Sequence, residues 1–276
     1  MCCKVFGIWG KKKTYMKNIK YSIITVCYNA EKDMADTINS VLMQSYDNYE
    51  YIIKDGCSMD RTMEIAHSLC DGDKRVIFME SRDQGIYDAM NIAVAEATGE
   101  YIFFLNAGDR FTGKDVLERV NAFIEQTTGD IFYGNVIEIG EGGKNYLRKY
   151  TKKNSRKWYY SLGTSLNHQG MFCGRELFQE KLFDLNYKVC ADREWQLYHI
   201  SRGKKAESMG ITLAEVLTEG FSSKHVSELE KETRQCVKLY CGQWYILYRF
   251  IMCLKRNRLM HMLMSRMERL MSCRSE

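Results

Sequence analysis

Four acidic residues stand where a carboxylate can do chemistry. Asp55 closes an apolar run and opens Asp55-Gly56-Cys57-Ser58-Met59-Asp60, in which Gly56 allows a tight turn. A carboxylate at such a strand end can accept a hydrogen bond from an imide N–H such as that of uracil. Asp60, at the far end of the turn, reads either as a ligand contact or as a helix cap. Asp109 follows an apolar strand through Asn106-Ala107-Gly108 and offers a hard oxygen ligand to a divalent cation. Magnesium and manganese take such ligands and draw the remainder from substrate phosphates and water. Asp192, in Cys190-Ala191-Asp192-Arg193-Glu194-Trp195, sits near an expected helix start, where it is either a general base or a partner of the helix dipole. His168, in His168-Gln169, is a lone histidine that reads either as a functional contact or as a hydrogen-bonded structural residue. Seven cations, Lys144, Arg148, Lys149, Lys152, Lys153, Arg156 and Lys157, form either a solvated face or an anion clamp. Neither GxGxxG nor GxxxxGK[ST] occurs, which speaks against a dinucleotide dehydrogenase and a P-loop NTPase.

The elements that must position these residues alternate. Tyr21 to Cys27 is a near-continuous apolar, β-branched run, as expected of a strand covered on both faces. Asn29 is placed to cap the helix carrying Ala35, Ile38, Val41 and Leu42. Further strands are expected at 50–54, 75–79, 101–105 and 131–133. Helices are expected after Ser58 or Asp60, over 89–97 with Gly99 at C′, and over about 114–125. Strands alternating with helices of this length imply right-handed βαβ units and an α/β fold with a mostly parallel sheet flanked by helices. Ligands bind beyond the carboxyl ends of such strands, where Tyr28-Asn29, Asp55 and Asp109 lie. Residues 140–160 hold no helical period and read as a hairpin or loop.

The chain has 276 residues, 45% of them apolar and 27% charged, a composition that supports a packed core and excludes general disorder. A net charge of +5 is too small to mark a nucleic-acid binder, and none is expected as a partner. Eleven cysteines without a CxxC pair read as reduced thiols of a cytoplasmic protein, not as a disulfide scaffold or zinc knuckle. The first 19 residues lack the apolar core of a secretory signal and read as an N-terminal extension. No stretch is long and apolar enough to span a bilayer. Residues 244–271 instead combine Trp, Tyr, Phe and Met with arginines and lysines: a basic amphipathic C-terminal helical segment. It suits either peripheral contact with the cytoplasmic membrane or packing on the domain or on a twin subunit in a homodimer.

Several segments, in this order, resemble glycosyltransferase family 2: Ile24-Thr25-Val26-Cys27-Tyr28-Asn29, Ser40 to Tyr46 (S-V-L-x-Q-x-Y), Asp55 to Asp60 (D-G-x-S-x-D), Asp83 to Asn91 (D-x-G-I-Y-D-A-M-N, as in the bacterial polysaccharide branch) and Thr98-Gly99-Glu100-Tyr101. The resemblance covers about residues 20–220 and implies a GT-A fold. It divides the chain into a nucleotide-sugar half (20–135), an acceptor half (136–222) and a C-terminal helical region (223–276). By the same resemblance Asp55 reads the uracil, while Thr25, Tyr28 and Asn29 border the nucleoside. Asp83, Asp88, Asn91, Asn106 and His168 serve the nucleotide-sugar, Asp109 binds Mn2+ or Mg2+ on the diphosphate, and Asp192 is the base. The implied activity is inverting, metal-dependent transfer of a hexose or N-acetylhexosamine from a UDP-sugar to a growing lipid-linked surface polysaccharide such as capsule or O-antigen. Gly108 stands where the family commonly has a second aspartate and Ala191 where it has glutamate. The missing carboxylate also admits a nucleotide-binding or interaction protein without turnover.

Overall fold

The computed structural model describes residues 18–140, 142, 144–218 and 225–256. The N-terminal extension up to residue 17 and the basic stretch 257–276 lie outside them. Strands β1 (Tyr21–Cys27), β2 (Tyr49–Asp55), β3 (Val76–Glu80) and β4 (Tyr101–Phe104) pair in parallel in the order β3-β2-β1-β4. Every residue of β1 and β2 is buried, the apolar ones in the core and the polar Ser22, Thr25, Glu50, Lys54 and Asp55 in hydrogen bonds. Their register sets Cys27 opposite Asp55 and Asp55 opposite Glu80, so the loops after β1, β2 and β3 leave the sheet at one level.

Helices α1 (Met34–Leu42), α2 (Thr62–Leu69) and α3 (Ile86–Glu96) connect these strands, and α4 (Val116–Ile124) precedes the next long one. Asn29 does not cap α1: the N-cap is Asp33, and Asn29 adopts φ 49° in the loop before it. Gly99 is not a left-handed helix stop either. A Cβ there would lie 2.6 Å from the Ser22 backbone nitrogen, so a glycine is needed for close approach. That contact belongs to a knot beneath the sheet. Glu50 accepts hydrogen bonds from Ser22 Oγ, the Thr98 N–H and Lys20 Nζ, at 2.6, 2.5 and 2.7 Å.

Beyond β4 the sheet turns mixed. β8 (Met171–Gly174) runs antiparallel to β4, β6 (Ile131–Ile139) antiparallel to β8, and β9 (Ala206–Leu217) parallel to β6. Two short strands complete nine: β5 (Arg110–Phe111) on β9 and β7 (Asn145–Arg148) as a hairpin on β6. The parallel pattern expected from the alternating elements therefore holds for the first half. The second half escapes it because β8 enters from the opposite direction, and this reversal brings 168–170 to the carboxyl end of β4. Helices α5 (Lys157–Tyr160), α6 (Arg175–Glu180) and α7 (Ala191–Ser201) cover this half. α7 is seated by Trp195, stacked on Phe178 at 4.5 Å and donating from Nε1 to Lys181 O. Two C-terminal helices, α8 (Val226–Tyr240) and α9 (Trp244–Arg256), close a small second core with Tyr160, Cys190, Leu197, Cys236, Val237 and Tyr248.

Candidate active site

The loops after β1 and β2 are stitched to each other. The Asn29 N–H donates to Ser58 Oγ at 2.8 Å, and Asn29 Oδ1 accepts from the Met59 N–H at 2.9 Å. Asp55, 1% exposed, takes the Ser58 N–H on one oxygen and the Ser58 hydroxyl on the other. Asp60 caps the start of α2 through the Thr62 N–H and also accepts from the Glu31 N–H, so of its two readings the geometry gives the cap. Asn29 and Cys57 both hold positive φ, conformations that L-residues keep only where neighbours over-determine them. On this platform Tyr28 is 64% exposed with its ring against Gly56. A Cβ at Gly56 would lie 3.1 Å from Asp83 Oδ2 and 3.2 Å from the Tyr28 ring, so these three residues converge.

Asp83 is held from below by Lys54, a residue the sequence patterning leaves inside a strand. The Lys54 ammonium is fully buried and donates its three protons to Asp55 O, Ser81 O and Asp83 Oδ2, at 2.8, 2.7 and 2.8 Å. Asp88 accepts from the Gln84 N–H and so fixes the turn that presents Asp83. Two expected contacts lie elsewhere. Thr25 is completely buried with its hydroxyl on Leu105 O, under the floor and not along it. Asn91 ties both ends of its amide to the Phe183 backbone, at 2.9 and 3.0 Å.

The second half of the site lies where β4, β8 and β9 meet. Asp109 is 4% exposed; Oδ1 accepts from the Leu217 N–H and Oδ2 from Gln169 Nε2, at 3.1 and 3.0 Å. Burial pushes its carboxyl up to about 6, against the lowering effect of those two bonds and of nearby His168. An aspartate in place of Gly108 would be strained: the φ is +96°, and a Cβ would lie 2.7 Å from Leu217 Cδ1. Among the described residues no three His, Cys, Asp or Glu side chains are placed to hold a metal ion by themselves. Each Asp109 oxygen nevertheless accepts a single hydrogen bond from these partners and keeps a free lone pair. The residues thus fit a cation bound through one carboxylate, with phosphate and water completing its shell.

Beside Asp109 runs a connected chain of polar groups. His168 lies with Nδ1 at 3.3 Å from Asp192 Oδ2 and Nε2 at 3.3 Å from Asn106 Nδ2. The Tyr87 hydroxyl is 3.0 Å from Asp192 Oδ1 and from Val189 O. Burial alone would raise the Asp192 carboxyl, but His168, Arg193 and Tyr87 outweigh it and hold the group below its usual range. Asn106 Oδ1 is buried without a partner among the described residues, an acceptor left for a ligand or water. His168 thus joins Asp192, with Tyr87 on the same carboxylate and Gln169 on Asp109. Both lie inside recognisable segments, but only the antiparallel entry of β8 shows what they touch.

A mixed sheet with carboxylates gathered at the carboxyl ends of its parallel strands matches the architecture of GT-A glycosyltransferases. The N-terminal portion of Staphylococcus aureus TarS, residues 1–349, superposes with a TM-score of 0.62 at 19% identity, over 79% of this chain and 65% of that one. TarS has also been seen with UDP-GlcNAc, and a Pyrobaculum calidifontis mannosyltransferase seen with GDP-Man and Mn2+ aligns with a TM-score of 0.54 at 14% identity, over 91% of this chain and 79% of that one. Residues 22–179 match Glycosyl transferase family 2, and the chain belongs to that family. A PGL/p-HBAD biosynthesis glycosyltransferase of Mycobacterium bovis is 33% identical over 184 residues, 64% of this chain and 68% of its own. An uncharacterized glycosyltransferase of Haemophilus influenzae is 41% identical over 115 residues, 41% of this chain and 46% of its own.

Proposed function

We propose that this glycosyltransferase moves a hexose or N-acetylhexosamine from a UDP-sugar to a saccharide acceptor with inversion. The observation that carries the reading is a pair of chemically distinct clusters at the carboxyl ends of the parallel strands: Tyr28, Gly56 and Asp83 beyond β1 and β2, and Asp109 with the Asp192–His168 pair beyond β4. The open Tyr28 ring offers a stacking face for a base, and Asp55 keeps lone pairs beyond its turn bonds for an imide N–H. Asp109 would hold Mn2+ or Mg2+, which when bound supplies positive charge to the departing diphosphate. Asp192, kept ionised, takes the proton of the acceptor hydroxyl. That oxygen attacks the anomeric carbon from the face opposite the diphosphate, the bond to the diphosphate breaks, and the configuration inverts. A lipid-linked acceptor in polysaccharide assembly at the inner face of the cytoplasmic membrane accords with the cations of 149–157 and with α9, where Ile246 and Phe250 stand exposed around Arg249.

The test is manganese-dependent release of UDP from a panel of UDP-sugars, comparing wild type with Asp109→Ala. Turnover of one donor, lost in the variant, is the expected result. UDP binding without release from any donor, with lipid-linked acceptors supplied, would instead mark a nucleotide-binding module. No UDP binding would overturn the donor assignment.

A further inference from the structure

We propose that Glu232, on α8, is a positioning residue for Asp192, so that the C-terminal helices form part of the catalytic apparatus; this rests on the glycosyltransferase reading above. Glu232 lies outside the family match and is 4% exposed. One carboxylate oxygen accepts from the Lys188 N–H at 2.8 Å, the other from Val189 N–H and Cys190 N–H at 2.9 and 3.0 Å. These are the last three residues before α7, and Asp192 stands in its first turn. Helix starts leave backbone N–H groups unpaired, and a side chain at the N-cap usually serves them. The N-cap here is Cys190, whose side chain makes no such bond, and the Glu232 carboxylate, from another helix, holds the N-cap N–H and the two N–H groups before it.

The grip extends to both sides of Asp192. Thr233 accepts from Arg193 Nη1, and Tyr240 donates to Glu194 Oε1. Opposite, Tyr87 on α3 reaches Val189 O and Asp192 Oδ1. The peptide 188–192 is therefore clamped between α3, which carries the donor-side turn, and α8. A neutral glutamine in place of Glu232 has only one accepting atom and turns an N–H2 toward backbone donors, so the clamp opens on one side while α8 keeps its packing. Displacement of a reacting group by about 1 Å costs on the order of 100-fold in rate. Binding of the nucleotide, which the functional reading assigns to Tyr28, Gly56 and Asp83 beyond β1 and β2, has no such dependence.

The experiment compares full-length wild type, Glu232→Gln and Val237→Ala, the last removing buried methyls from the same helix while leaving the carboxylate's three hydrogen bonds to 188–190 in place. Hydrolysis of the UDP-sugar that wild type turns over fastest, UDP affinity by calorimetry and amide exchange of 186–194 are measured together. Glu232→Gln is expected to lose roughly 10- to 100-fold in kcat with donor KM and UDP affinity within about twofold, and to speed exchange at 188–190. Val237→Ala is expected to lower the melting temperature and leave kcat in place. Equal kcat losses in both variants, unchanged kcat in Glu232→Gln, or a loss confined to UDP affinity would overturn the proposal. Should Glu232→Gln not fold, Glu232→Asp, which keeps the charge but not the reach, takes its place under the same criteria. A wild type that neither binds UDP nor hydrolyses any UDP-sugar would overturn the functional reading and this proposal with it. Wild-type turnover matched by Glu232→Gln would overturn this one alone.

Discussion

Asp109 is a buried carboxylate and Asp192 a largely buried one, yet their surroundings drive them in opposite directions. Asp192 is met by His168, Arg193 and Tyr87 and stays ionised, whereas Asp109 meets only backbone and amide donors and a nearby histidine, and rises to about 6. A carboxyl raised from 3.8 to about 6 keeps a proton in the folded state that the unfolded chain has released. Stability is therefore lost as pH climbs through that window, and the penalty is complete above it, on the order of 2–3 kcal/mol. Asp109→Asn is expected to melt several degrees above wild type at about pH 7.5 and level with it at about pH 4, while UDP release disappears. Thermal melts at both pH values, without added metal, check this. At Asp192 the expected effect is kinetic. Tyr87→Phe removes a hydrogen bond to the ionised form, so the acid limb of kcat/KM moves to higher pH and kcat falls about 10-fold, read from a pH–rate profile. Asp55, Asp109 and Asp192 were legible in the sequence because each stands at a strand end or near a helix start, whereas Asp83 was reached only through the family resemblance. Lys54, Tyr87 and Gln169 were not legible, because a strand lysine, a helix tyrosine and a loop glutamine gain meaning only from partners 29, 105 and 60 residues away.

At the scale of elements, the parallel strands announce themselves through continuous burial, and their loops follow from the register. What sequence periodicity cannot carry is the antiparallel entry of β8 or the two-residue β5, since neither repeats often enough to show a period. These elements decide the site, because β8 delivers His168 and Gln169 while the end of β9 delivers the Leu217 N–H to Asp109. The platform under Asp83 depends equally on β2. A buried ammonium is tolerated only with all its protons bonded, and removing one partner of a buried pair costs about 3–5 kcal/mol. Lys54→Met leaves Asp83 without its counter-charge and frees Ser81 O, so a loss of that order is expected in urea unfolding, together with weaker UDP binding. Gly108→Ala places a methyl in the left-handed region and against Leu217, and the β4–β5 turn must shift. It is expected to weaken manganese-dependent turnover more than UDP affinity in the absence of metal.

For the whole molecule, the C-terminal helices serve two surfaces. Inward, Cys236, Val237, Cys241, Tyr248 and Ile251 are buried, so the segment that composition alone left between membrane contact and packing is packed on the domain as far as Ile251. Outward, α9 shows Ile246 at 74% and Phe250 at 60% exposure, four residues apart on one face, with half-exposed Trp244 at the start and Arg249 alongside. Among the described residues no helix is long and apolar enough to cross a membrane. Such a face instead suits the headgroup boundary of an anionic bilayer, where apolar side chains enter the acyl edge and arginines meet phosphate. Deleting α9 would strip the second core and confuse the result. Ile246→Glu with Phe250→Glu alters only exposed positions, so fold and UDP-sugar hydrolysis are expected to persist while sedimentation with phosphatidylglycerol vesicles is lost. Retained sedimentation would move membrane contact away from this face. A wild type that is dimeric in solution and becomes monomeric in the double variant would assign the face to a second copy of the chain.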